Sequence, residues 1–312
     1  QLITNNPPKT ARIIKVKYFF ILLKFYKVIL YFFQLACQSL ILTLLFNFYQ
    51  RNKESTMKNT ILFFLLIISI KNFSQTEKFY TIEGTERKAI FYEPKIKNEK
   101  TPVVFVFHGH GGNANYASKN LNFHDNFKEA LVIYMQGIPG VTNSIVDKEG
   151  KYNGWQMNPD ELENRDIKFF DVVFSEISKN KNLDFNRVYA VGHSNGSRFV
   201  NVLWKMRPEK FAAFITVAGP GGVWLRDAPQ KSVWISFGKE DKIVPYKIQK
   251  FSAKQYLKAF KADESSAQTE GEITFYKTSE NKEIIIEDRN AGHEFPKSSI
   301  PKMVEFLKRN HR

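Results

Sequence analysis

Residues 187–200 read RVYAVGHSNGSRFV, an apolar run that breaks at Gly192-His193-Ser194-Asn195-Gly196 and then resumes with helical spacing. Strand, tight turn and helix are the context in which a serine flanked by glycines, G-x-S-x-G, acquires chemical meaning. Such a turn strains its central residue and lifts the side chain above the sheet. Residues larger than glycine at the flanking positions would strike the neighbouring strand and helix. Ser194 is therefore expected to stand as a nucleophile at a helix N-terminus, where amide N–H groups favour developing negative charge.

Working outward, the segments PVVFVFHG (102–109), LVIYMQG (131–137), FAAFITVAG (211–219) and SVWISFG (232–238) are short runs rich in Val, Ile and Phe. Continuous apolarity implies burial on both faces, as in a parallel sheet covered by helices. Helical patterns fall between and after them, at 166–179, 196–206, 246–260 and 297–308. KFYTIEG and RKAIFYEP alternate around Gly84 and predict an antiparallel hairpin. The expected fold is α/β: a mostly parallel, doubly wound sheet with an antiparallel N-terminal hairpin, in one domain spanning 76–312. Residues 138–165, with Gly140, Gly150, Gly154 and Pro159, have no clear period and read as a long functional or mobile loop.

A serine hydroxyl needs a base to take its proton, and the base needs an acid to orient it. With this elbow the chain order is Ser, acid, His. His108, His110, His124 and His193 precede the serine and His311 is penultimate, so His293 in NAGHEFP is the candidate base. In VWISFGKEDKIVPY, Asp241 follows the end of an apolar strand and is the candidate acid. Glu240 is its nearest rival, and Asp227, Asp263 and Asp288 are less well placed. The glycine-rich turn in FHGHGGNA offers free amides, so the oxyanion donors are assigned to the backbone N–H of Asn195 and His110, with Gly111 a close alternative. Trp155 in GWQ is read as a substrate-binding wall residue, with core packing the competing reading. His108 and His110 lack a carboxylate cluster, so neither a metal nor any other cofactor is expected.

With these residues in hand, the sequence resembles secreted serine esterases grouped as polyhydroxybutyrate depolymerase-like and feruloyl esterase-like α/β-hydrolases. The likeness runs over about residues 102–295. It rests on FVFHGHGGN, LVIYMQG followed by GWQ, DIKFFDVVFSEI leading into LDFNRVYAVGHSNGS, FGKEDKIVPY and AGHEFP. The resemblance implies the α/β-hydrolase fold, with Ser194 as nucleophile, Asp241 as acid and His293 as base. Two positions depart from the family pattern: Ser197 stands where another glycine is common, and His110 where a cysteine or another residue occurs. No added carbohydrate- or polymer-binding module is evident. The activity so implied is hydrolysis of carboxylic esters through an acyl-enzyme, on feruloyl or acetyl esters of plant polysaccharide or on short hydroxyalkanoate esters. A peptidase or thioesterase on the same scaffold, or a binding protein that kept the fold, are the rival readings.

The first quarter of the 312 residues differs from the rest. Residues 1–53 hold eight Lys or Arg and no acid. From Met57, MKNTILFFLLIISIKNFSQ has the build of a signal peptide, so 57–75 is expected to be removed and 1–56 to be an upstream leader outside the mature protein. A membrane anchor around 13–48 is the rival, but Lys15, Lys17, Lys24 and Lys27 would be costly in hydrocarbon. The formal charge of +15 falls to +6 when counted from Thr76, with 36 basic against 30 acidic residues. That leaves a solvated surface without a nucleic-acid footprint. The single cysteine, Cys37, lies in the leader, so the mature chain suits an oxidising compartment without disulfides. A secreted or periplasmic enzyme is expected, with a small-molecule or polysaccharide-linked ester as partner and no stable membrane association.

Overall fold

The computed structural model describes residues 75–142 and 147–312. The leader, nearly all of the expected signal peptide and Cys37 lie outside the described residues.

A ten-stranded sheet organises the described chain, in the order β1-β2-β4-β3-β5-β6-β7-β10-β9-β8. Strands β3 (Thr101–Phe107), β4 (Leu131–Met135), β5 (Leu183–His193), β6 (Ala213–Val217) and β7 (Ser232–Gly238) run parallel, joined on the far side by β10 (Glu283–Arg289). β3, β4, β6 and β7 are buried along their whole length, which is why their sequences carry no polar alternation. The N-terminal hairpin pairs β1 (Gln75–Ile82) with β2 (Thr85–Tyr92) across Glu83 and Gly84, both at positive φ.

Side chains alternate between two cores. Val103, Phe105 and Phe107 of β3 face one, Val104 and Val106 the other. The first core is closed by α3 (Arg165–Ile177), α4 (Asn195–Met206) and α5 (Tyr246–Ala259), and the second by α1 (Ala114–Asn120), α2 (Phe123–Asn126) and α6 (Ile300–Arg309). Helices on both faces make the sheet doubly wound, as expected. The helix predicted from 297 is split: Lys297–Ser299 is a 3-10 turn, and Pro301 occupies the first turn of α6.

One feature went unpredicted. Between α5 and β10 the chain inserts an antiparallel hairpin of β8 (Ala262–Glu270) and β9 (Ile273–Thr278) at the end of the sheet. Its first strand, ADESSAQTE, is exposed along nearly its whole length and offers no apolar face to a sequence reader.

Trp155 requires a correction. Its side chain is fully buried, stacked on Phe199 with ring centroids 5.2 Å apart and planes at 12°. Its Nε1–H donates to the carbonyl of His108 at 2.9 Å. The indole fills the core beneath the site and is not a wall of it. An apolar ring can bury a polar N–H here because a strand-end carbonyl is there to receive it.

Candidate active site

Three strand ends present the chemistry. Ser194 follows β5 with φ 54° and ψ −118°, a conformation costing on the order of 1–3 kcal/mol that its surroundings must enforce. Its amide donates to Val217 O at 2.7 Å and its carbonyl receives Arg198 N–H at 3.1 Å, fixing the residue to β6 and to the first turn of α4. The close approach explains the flanking glycines. A Cβ on Gly196 would lie 2.3 Å from Phe107 O, and one on Gly192 would lie 2.4 Å from Gly196 O.

His293 leaves β10 and reaches the serine: Nε2 lies 2.8 Å from Ser194 Oγ. Nδ1 lies 2.8 Å from Asp241 Oδ2, beyond the end of β7. The two loops are sewn together by Lys239 N–H to Arg289 O at 2.8 Å and Glu240 N–H to Ala291 O at 3.0 Å. The structure thus brings Ser194, Asp241 and His293 into one chain of hydrogen bonds across 99 and 52 residues of sequence separation. Glu240, Asp227 and Asp263 are exposed, and Asp288 accepts from Tyr246 instead.

The Asp241 carboxylate is buried and well supplied with donors. Oδ1 accepts the amides of Ile243 and Val244 at 2.8 and 2.9 Å, and Oδ2 also accepts Gln249 Nε2 at 2.9 Å. Burial would raise its pKa, but the hydrogen bonds from His293, Val244 and Ile243 outweigh that and hold it below the usual carboxylate range. An ionised acceptor directs the Nδ1 proton of His293 toward itself and leaves Nε2 free to accept from the serine.

His193, the residue before Ser194, carries no role in the reading of the sequence. Its Nε2 donates to the His293 carbonyl at 2.7 Å, tethering the His293 backbone to the elbow. Burial pushes its pKa down to about 4, so the ring is neutral at pH 7 and can remain that donor. Gln249 was also missed, because a glutamine eight residues beyond Asp241 gives no signal until α5 folds it back. The Asn195 side chain holds the loop above it from both sides: Oδ1 accepts Trp155 N–H at 2.8 Å and Nδ2 donates to Trp155 O at 3.1 Å.

At the glycine turn after β3, Gly111 N–H is engaged by Asn153 O at 2.7 Å and Gly112 N–H by Gly109 O at 3.1 Å. His110 and Asn195 both line the cleft, and Asn195, as the first residue of α4, has its amide outside the helical ladder. His108 turns away from the cleft and is fully buried. Its Nε2 accepts Gly137 N–H at 2.9 Å, its Nδ1 lies 2.7 Å from Gly109 O, and burial lowers its pKa to about 4. Among the described residues no cluster of His, Cys, Asp or Glu is arranged to hold a metal ion. The cleft over Ser194 and His293 measures about 710 Å³ and is walled by Met157, Ile243, Val244, Pro245 and Ile248.

Comparison with known proteins bears on the fold. Residues 67–207 match the acetyl xylan esterase family model, a span that includes Ser194 and stops short of Asp241 and His293. The putative esterase NocK of Nocardia uniformis subsp. tsuyamanensis is 27% identical over 128 residues, which cover 39% of this chain and 33% of that relative; the match spans a third of its length. Among solved structures, the acetyl xylan esterase from Aspergillus awamori superposes with a TM-score of 0.58 at 15% identity, covering 75% of this chain and 99% of that one. An S-formylglutathione hydrolase from Agrobacterium tumefaciens gives 0.55 at 17% identity, covering 75% and 95%. The chain adopts the α/β-hydrolase fold.

Proposed function

We propose that this chain is a serine esterase that hydrolyses carboxylic esters through an acyl-enzyme. The observation that carries the proposal is the unbroken relay from Ser194 Oγ to His293 Nε2, 2.8 Å, and from His293 Nδ1 to Asp241 Oδ2, 2.8 Å. His293 takes the hydroxyl proton as Ser194 Oγ bonds to the ester carbonyl carbon, and the carbonyl oxygen becomes an oxyanion facing the amides of His110 and Asn195. Collapse of this intermediate breaks the C–O bond to the alcohol, which departs with the proton from His293. Water then attacks the acyl-enzyme, returns its proton through His293, and releases the acid and free Ser194.

Acetyl esters of polysaccharide are our first choice of substrate, supported by the family model over residues 67–207. Feruloyl and short hydroxyalkanoate esters come next, from the resemblance of the elbow and its flanking motifs. The molecule acts outside the cytoplasm, as the sequence from Met57 suggests; the mass of the exported N-terminus checks this.

The test is hydrolysis of nitrophenyl acetate, acetylated xylan and methyl ferulate by wild-type protein and by Ser194→Ala. Removing the nucleophile should lower turnover by at least about 10³-fold while leaving the fold intact. Turnover that Ser194→Ala leaves unchanged, or turnover of peptide anilides alone, refutes the proposal.

A further inference from the structure

Arg198 stands one helical turn beyond Ser194 in α4 and lines the same cleft. Asp, Glu and Lys are absent from the described lining, so its guanidinium is the one permanently charged group there. It makes no hydrogen bond and no ion pair with any described residue, and Nε is sealed from solvent without a partner. Other described inward-facing arginines have direct partners: Arg87, whose Nε is likewise unpartnered, meets Asp166 at 2.7 Å, and Arg289 bonds Ser236 at 3.0 Å and Glu294 O at 2.9 Å.

A half-sunken cation without a direct hydrogen-bonding or ion-pair partner is costly. Burial pulls the pKa of Arg198 down, against the fields of Tyr256 and Glu161. The one carboxylate whose field reaches it is Glu161, which makes no ion pair with it and whose Oε2 receives the Met157 and Asn158 amides at 2.5 and 3.2 Å. The cleft thus holds a positive charge with no direct partner, reached only by the fields of Tyr256 and Glu161, on otherwise largely apolar walls and within a helical turn of Ser194. A planar fork of N–H donors in that position matches a carboxylate in shape and sign.

We infer that Arg198 binds a carboxylate carried by the substrate, so that the preferred ester is an anionic one. A sugar ester on a uronic acid-bearing chain presents that group on the alcohol side, and a half-ester of a dicarboxylic acid presents it on the acyl side. The inference rests on the esterase reading and specifies its substrate class.

Two matched pairs of probes separate the sources. 4-Acetoxybutanoate against 4-acetoxybutanamide places the charge in the alcohol part, and methyl hydrogen succinate against methyl succinamate places it in the acyl part. In the wild type, kcat/KM should favour the anion by about 10- to 100-fold in one pair, the range of a hydrogen bond to a charged group. Arg198→Gln should bring that ratio toward one, acting mainly through KM, and Arg198→Lys should retain part of it. Because the readout is a ratio of two esters on the same protein, a general loss of activity cancels.

A wild-type ratio near one in both pairs, or a ratio that Arg198→Gln leaves intact, overturns the inference while esterase activity on nitrophenyl acetate still stands. If no ester is turned over, calorimetric titration with glutarate decides the matter independently. Binding weakened about tenfold or more in Arg198→Gln supports the carboxylate site, and equal or absent binding overturns it.

Discussion

Substituting alanine for Gly192 tests the steric logic of the elbow without touching a reacting group. A methyl group at this position would lie 2.4 Å from Gly196 O, 2.5 Å from Gly196 C and 2.6 Å from Ser197 N. All three are backbone atoms, so no rotamer change relieves the clash. Ordinary contact begins near 3.4 Å, and the first turn of α4 must retreat by about 1 Å. β5 cannot yield instead, because it is paired on both sides, to β3 and to β6. A shift of that size takes Ser194 Oγ out of hydrogen-bond range of His293 Nε2, now 2.8 Å away. Misplacement by about 1 Å typically costs about 10²-fold in rate, and overpacking adds about 1–3 kcal/mol of destabilisation. Urea denaturation and kcat on nitrophenyl acetate measure both. Gly84→Ala is the control: nothing lies within 4 Å of its added methyl, yet φ is +79°. It should lose on the order of 1–2 kcal/mol from the left-handed backbone with no change in kcat. If Gly192→Ala keeps wild-type stability and a kcat within threefold of wild type, the close-approach argument is wrong.

Acidification should destabilise the fold through its sunken imidazoles. His108 has a folded pKa of about 4 against an ordinary 6.5, so below 6.5 the unfolded chain takes up a proton that the folded one refuses, and stability falls until pH 4 is passed. Between pH 7 and pH 5 this amounts to roughly 2 kcal/mol, with His193 acting in the same direction; denaturation midpoints flat over that range would contradict it. Gln249→Leu removes one donor to Asp241 Oδ2 and should lower kcat about tenfold at unchanged KM, measured by steady-state kinetics. Trp155→Ala should cost about 3–5 kcal/mol in urea denaturation without reordering relative rates across acyl chain lengths; altered selectivity at full stability would return Trp155 to the site wall.

The buried centre of the sheet was legible in the sequence because burial on both faces leaves no other composition open to a strand. β3, β6 and β7 were read close to their final bounds for that reason. That Ser194, Asp241 and His293 meet was legible too, each marked by a strand exit and by order along the chain. What escaped was whatever depends on tertiary return: Gln249 folding onto Asp241, His193 reaching the His293 carbonyl, Asn195 clamping Trp155. None of these has a spacing rule, since each is a contact between elements whose relative placement the sequence does not announce. Trp155 shows the reverse error. An aromatic in a glycine-rich loop looks like a wall residue, whereas the need to fill the space beneath the elbow decides where it goes.

The appended hairpin also settles how the sheet terminates. Were β10 outermost, its apolar stretch Ile284–Ile286 would present unpaired amides and carbonyls to any passing strand. β9 covers that flank, and β8 outside it carries Asp263, Glu264 and Glu270, charges that a second molecule's backbone would have to desolvate before it could zip on. The border of the molecule is thereby insulated against self-templating, at the far end of the sheet from the β1–β2 hairpin.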